Sequence, residues 1–229
     1  MSELQERLQN LRLRLDLMGM RVEQALADAL QAARDGDVDA GLEVDRRDSV
    51  IDREEVKIEQ ECIRLLALYQ PAAIDLRTIC TVIKTNSNLE RIADLAASIG
   101  RRTKHVVEDK IDLQRYPHFD HLAEAATDIL SKTVRMLNAT DITTARTVIE
   151  SDDNVDQSYG RFVRSVLDAE SGKSAGANVV MTLINLAKAL ERIGDLCTNI
   201  AEDIIFLKTG DIIRHAEAME EPPATETTS

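Results

Sequence analysis

The sequence of 229 residues contains no tryptophan, three phenylalanines, three tyrosines, nine glycines and four prolines. Aromatic residues are enriched in β-strands, and Gly and Pro are enriched in the tight turns that join strands. Their scarcity leaves little material for a β-sheet. The chain is instead rich in Ala, Leu, Glu, Asp and Arg, a composition typical of helical proteins. The composition therefore predicts an all-α protein.

Long apolar runs and a basic charge balance are also missing. No run approaches the roughly 18–20 apolar residues that span a bilayer, and the charged N-terminal segment does not resemble a secretory signal. With 41 acidic and 28 basic residues, the net charge of −13 repels nucleic-acid phosphates and anionic lipids. Cys62, Cys80 and Cys197 are isolated in apolar helical patterns, which is typical of reduced core thiols. We expect a cytoplasmic protein that binds no nucleic acid and does not insert into a membrane.

Helix start and stop signals divide the chain into six long helices. Ser2 and Gln5 form a capping pattern at the start of the first, and Gln70-Pro71 opens the third, with the proline in its first turn. The helices are predicted at about residues 2–35, 37–69, 70–105, 117–139, 141–170 and 178–208. Residues 106–117 show no helical periodicity and separate the halves.

An eleven-residue segment occurs once in each half of the chain. LERIADLAASI, Leu89–Ile99, and LERIGDLCTNI, Leu190–Ile200, agree at seven positions with an offset of 101 residues. Three helices, a break and three more helices then indicate an internal duplication. We predict two pseudo-repeated elongated three-helix bundles, at 1–107 and 108–215, followed by a disordered acidic tail at 216–229.

The repeated acids lie off the apolar stripe of their helices and are predicted to be exposed. The helical period places one set of apolar residues on the core face of the sixth helix: Leu183, Leu186, Leu190, Ile193, Cys197, Ile200, Ala201 and Ile204. A matching set lies on the core face of the third helix: Leu89, Ile92, Ala93, Ala96 and Ile99. In the first hairpin, which turns near residue 70, residue i faces about 141 − i; in the second it faces about 345 − i. Each hairpin therefore brings two acid pairs together: Asp48 and Asp52 with Glu90 and Asp94, and Asp152 and Asp156 with Glu191 and Asp195.

Four clustered carboxylates repel one another unless they are solvated, neutralised by arginine, partly protonated or bound to a cation. One interpretation is a solvated acidic face that Arg91 and Arg192 screen. The other is a metal site in each half, formed by the eight acids above. Carboxylate ligands suit hard cations such as Mg²⁺, Mn²⁺ and Ca²⁺ and also hold iron; zinc is a further candidate.

Three function classes fit this arrangement: a regulator, a carboxylate-bridged metalloenzyme and a metal-free helical scaffold. Helical di-iron enzymes use Glu-x-x-His pairs. The residues three before the four histidines are Arg102, Arg115, His118 and Ile212, so that pattern is absent. We also find no arrangement of nucleophile and base and no Gly-rich cofactor loop, and we expect no enzyme activity.

The order of motifs resembles the PhoU family of bacterial phosphate-signalling proteins from about Leu11 to His215. The matching segments are Met18-Gly19, Gln70-Pro71, Asp75-Leu76-Arg77, Leu89–Asp94, Leu190–Asp195, Gly210 and Arg214-His215. The chain differs from the usual family pattern at Ala93, where Gly is frequent, and at Ser98, where the second half has Asn199.

This resemblance implies a duplicated three-helix bundle with metal clusters at its E/DxxxD motifs. It also implies a cytoplasmic negative regulator of phosphate uptake and of the phosphate-starvation response. Such a protein would link the ATPase subunit of the phosphate ABC transporter to the phosphate-sensing histidine kinase, and would form a homodimer.

Overall fold

The computed structural model describes residues 2–171 and 176–211 as six long α-helices, with no strand among these residues. In chain order the helices are α1 Glu3–Asp35, α2 Val38–Tyr69, α3 Ala73–Glu108, α4 Pro117–Ala139, α5 Ile142–Glu170 and α6 Gly176–Thr209. A 3-10 turn, Leu113–Arg115, lies between α3 and α4. The all-α prediction is confirmed. The tail predicted at 216–229 and residues 212–215 lie outside the described residues.

Capping side chains explain where several helices begin and end. Ser2 and Gln5 form the predicted capping box at the start of α1. The carboxylates of Asp37 and Asp141 accept hydrogen bonds from backbone N–H groups in the first turns of α2 and α5. Gly36 ends α1 in the left-handed region, at φ 66°, which glycine adopts without steric cost. The predicted ends of these helices are confirmed to within one or two residues.

The start of α3 differs from the prediction. Pro71 does not lie in its first turn, because Gln70 ends α2 in the left-handed region at φ 44° and α3 begins at Ala73. Proline cannot continue a helix and is common one or two residues beyond a helix end. Here it terminates α2 instead of starting α3. Helix α3 also continues to Glu108, beyond the predicted end near His105.

Each half of the chain forms a three-helix bundle, and the two bundles share one core. Helices α1, α2 and α3 pack against one another, as do α4, α5 and α6. The bundles meet along α3 and α6 and along α1 and α4, so α2 and α5 lie on the outside. A single cluster of buried apolar side chains contains residues of all six helices, including both predicted core stripes. None of the described helices has the length and hydropathy of a membrane span.

Two contacts define the register of the α2–α3 hairpin. Gly41 packs on Gly100 so closely that a Cβ on either glycine would lie 2.4–2.5 Å from the carbonyl oxygen of the other. Near the middle of the hairpin, the Asn86 side chain donates to the Glu55 carbonyl oxygen over 2.9 Å. The residue numbers of each pair add up to 141, which confirms the predicted register.

Candidate metal centres

The first acid cluster joins α2 to α3. Asp48 and Asp52 of α2 lie beside Glu90 and Asp94 of α3, as the hairpin register requires. The pKa of Asp48 is raised to about 7 by burial together with the charges of Asp52 and Asp94, contact with the Asp94 carboxyl group and the charge of Glu90. The pKa of Glu90 is raised by burial and then by its acidic neighbours, against the opposing charge of Arg91. This site therefore favours a bound proton or cation.

The second acid cluster joins α5 to α6 in the same way. The pKa of Asp152 is raised to about 6, mainly by burial; the Thr198 hydroxyl group acts against this shift, and the charges of Asp156 and Asp195 contribute to it. The pKa of Glu191 is raised by burial and then by the charges of Asp195 and Asp156. The eight acids that the sequence singled out thus form two groups of four, one in each bundle.

Exposure differs between the aspartates and glutamates of the repeated motif. Asp94 and Asp195 are exposed, as predicted, but Glu90 and Glu191 are partly buried. The prediction of an exposed face is therefore wrong for the two glutamates. Glu90 lies level with Ile51, a buried residue of α2, so the packing of α2 on α3 covers part of its side chain. A periodicity argument within one helix does not reveal this cover.

The two clusters differ at one position of the repeated motif. In the second half, a Cβ on Gly194 would lie only 2.5 Å from Oδ1 of Asp152, so the carboxylate is seated where any larger residue would place a side chain. Asp152 and Gly194 are within one residue of the predicted pairing. Ala93 is the equivalent residue of the first half, 101 positions earlier, and it carries a Cβ where Gly194 has none. Gly194 and Thr198 are site residues that the sequence analysis missed, although the glycine–alanine difference was visible in the motif.

The chemistry of both clusters fits a cation. Oδ1 of Asp48 and Oδ1 of Asp152 are buried and have no hydrogen-bond partner among the described residues, so each cluster contains an unsatisfied acceptor. Carboxylate oxygens are the ligands that hard cations prefer. Within residues 2–171 and 176–211, however, no three His, Cys, Asp or Glu side chains converge closely enough to hold a metal ion together. Cation binding would therefore require the exposed carboxylates to turn toward the buried ones.

Comparison with known proteins decides the family. The model of the PhoU domain matches the chain twice, over residues 15–103 and 119–204, and each match contains one acid cluster. The chain belongs to the PhoU family. The resemblance seen in the sequence is confirmed, and it extends over both halves.

Relatives of this PhoU-family chain match it over almost their whole length. The phosphate-specific transport system accessory proteins PhoU of Escherichia coli strain K12 and of Serratia marcescens are each 34% identical to it over 215 residues. These matches cover 91% of this chain and 86% and 85% of the two relatives. The crystal structure of PhoU from Pseudomonas aeruginosa is 31% identical, with a TM-score of 0.87, and the match covers 91% of this chain and 100% of that one.

The raised pKa values of the acid clusters predict how the stability of this PhoU-family protein changes with pH. A carboxyl group whose pKa is higher in the folded than in the unfolded protein stabilises the fold fully below its unfolded value, and loses that contribution as the pH rises through its folded value. For Asp48 the interval runs from 3.8 to about 7. Because solvent screens a partly buried group, we expect metal-free protein to lose about 1–2 kcal/mol of unfolding free energy between pH 5 and 8.

Denaturant unfolding in the presence of a chelator measures this loss. The Asp48→Asn variant, which has no titrating group at this position, should show a flatter pH profile. An unfolding free energy that rises from pH 5 to 8 in the metal-free wild-type protein would contradict the raised pKa of Asp48.

Proposed function

We propose that this protein is an accessory of a phosphate ABC transporter and represses phosphate uptake and the phosphate-starvation response when phosphate is plentiful. It links the ATPase subunit of the transporter to the phosphate-sensing histidine kinase, acts as a homodimer in the cytoplasm and catalyses no reaction. The observation that carries the proposal is the similarity to two transport-system accessory proteins over 91% of the chain. A long helical body with one shared core suits a protein that connects two partners.

We further propose that the acid clusters bind divalent or trivalent cations, with Mg, Mn, Ca, Fe and Zn as the candidates. A bound cation would offset the repulsion among the carboxylates and would link the outer helix of each bundle to its inner neighbour. The buried Oδ1 atoms of Asp48 on α2 and Asp152 on α5, which lack hydrogen-bond partners among the described residues, support this proposal. The residues that would hold the cations are Asp48, Asp52, Glu90 and Asp94 in the first bundle, and Asp152, Asp156, Glu191 and Asp195 in the second.

Deletion of the gene in its host tests the proposed regulation. We expect a phosphate-starvation promoter to be active in the deletion strain even at high phosphate, and repression to return when the wild-type chain is supplied. Tagged chain should also co-purify with the transporter ATPase subunit, to a different extent at high and low phosphate. Sedimentation of the purified chain reports whether it is a dimer. Unchanged repression in the deletion strain, together with no co-purification, would refute the proposed function.

A further inference from the structure

Three arginines of α1 repeat at intervals of seven residues along the groove between α1 and α2. Arg7 pairs with Glu61 over 3.1 Å, and Arg14 pairs with Glu54 over 2.7 Å. The residue numbers add up to 68 in both pairs, so the two antiparallel helices keep one register over this length. The same register places Arg21 opposite Arg47. The first two arginines therefore pair with a carboxylate, whereas the register places an arginine opposite the third.

A cavity of about 280 Å³ lies at this third position, and both Arg21 and Arg47 line it. The apolar residues that line the same cavity are Ala25, Val44, Val50 and Ile51. Val50 is 41% exposed, so the cavity opens to the surface. Asp48 also lines it, and its carboxyl group contacts that of Asp94 on α3. The groove therefore combines four apolar residues with two arginines, and the polar residues Gln24 and Asp48 complete its lining.

The two arginines differ in their partners within the protein. Arg47 contacts Asp28 over 2.8 Å and lies 3.8 Å from Glu43 at the edge of the groove. Arg21 is exposed and has no ion pair with any described residue. The guanidinium group of Arg21, which has no carboxylate partner among the described residues, attracts a carboxylate, and this would complete the third pair as Glu54 and Glu61 complete the others.

We propose that this groove binds an amphipathic helix of a partner protein, with apolar side chains against its four apolar residues and an acidic side chain between Arg21 and Arg47. An inorganic anion would use the arginines but gain nothing from four apolar side chains, whereas a helix uses both. A net charge of −13 disfavours an anionic membrane surface as the ligand. The inference rests on the proposed function, in which the ATPase subunit and the histidine kinase are the partners, and assigns a surface to one of them.

Binding of purified full-length chain to the purified ATPase subunit and to the cytoplasmic part of the kinase tests the proposal. Arg21→Glu should weaken the affinity for one of the two at least tenfold, because the introduced carboxylate takes the place of the partner's acidic group and pairs with Arg47. Val50→Asn should weaken the same interaction through the apolar part of the groove. Arg146→Glu on α5 carries the same charge change at an exposed site of the other bundle and should bind as the wild type does.

The melting temperature of Arg21→Glu should equal or exceed that of the wild type, since the substitution removes no ion pair between described residues. A folded Arg21→Glu variant that binds both partners with wild-type affinity would overturn the docking site and leave the proposed function intact. A wild-type chain that binds neither partner would overturn both. Inorganic phosphate titrated into the isolated chain provides a further test. Binding of phosphate that is lost in Arg21→Glu would show a small-anion site and would overturn the proposal that the groove binds a helix.

Discussion

Gly41→Ala is expected to lower the free energy of unfolding by about 2 kcal/mol, although alanine favours a helix over glycine by about 1 kcal/mol. The introduced Cβ would lie 2.4 Å from the carbonyl oxygen of Gly100 and 3.0 Å from Oγ1 of Thr103. The carbonyl oxygen belongs to the backbone of α3 and cannot rotate away, so α2 and α3 must separate. Denaturant unfolding followed by circular dichroism measures the effect, and Gly100→Ala should behave similarly.

Gly160→Ala is the matched control for this substitution. Gly160 lies inside α5, and the nearest atom to a Cβ at this position would be Nη2 of Arg164, at 3.7 Å, at the end of a flexible side chain. Alanine at this position should raise the free energy of unfolding by up to about 1 kcal/mol. Equal effects at the two sites would mean that α2 and α3 do not touch at Gly41 and Gly100.

Neutralising the repeated acids should abolish any stabilisation by cations. At 100 times its dissociation constant, a bound cation stabilises the fold by about 2.7 kcal/mol. A variant without the repeated charges should lose this gain, and without cation it should be as stable as the wild type or up to about 1 kcal/mol more stable, because repulsion is removed. Thermal melts with chelator and with added Mg²⁺ or Mn²⁺ test this. The variant carries Glu90→Gln, Asp94→Asn, Glu191→Gln and Asp195→Asn.

A control variant with the same charge change should keep the full response to cations. It replaces four exposed acids away from the clusters: Glu6→Gln, Glu124→Gln, Glu150→Gln and Asp168→Asn. If the cluster variant still gains stability from cations, the cation site lies elsewhere. If the cluster variant does not fold, the partly buried Glu90 and Glu191 are structural members of a polar network, and the substitution tests the fold instead of the ligand.

The helices and most of their ends follow from the amino-acid sequence alone. Caps such as Ser2 and Asp37 act on neighbouring backbone groups, and the glycine that ends α1 needs only its own left-handed conformation. These are local effects, so they can be read from adjacent residues. Pro71 is the exception, because a proline near a helix boundary is compatible both with the end of one helix and with the start of the next.

The level of each acid along its hairpin also follows from the sequence. The short connection between α2 and α3 makes them antiparallel neighbours, and the rise per residue is the same in both, so one turn position sets the whole register. The pair of Gly41 and Gly100, far from the turn, still obeys it. The proximity of Asp48 and Asp94 is therefore a consequence of their residue numbers and the position of the turn.

The orientation of each residue about its helix axis, relative to the neighbouring helices, depends on tertiary packing. The partial burial of Glu90 depends on how closely α2 covers α3. The position of the Asp152 carboxylate depends on how closely α5 approaches Gly194. The register between α1 and α2, which places Arg21 opposite Arg47, results from side-chain packing along the groove. Packing depends on side chains from several helices at once, whereas helical periodicity describes one helix at a time. For this reason the acid clusters were visible in the sequence and the arginine groove was not.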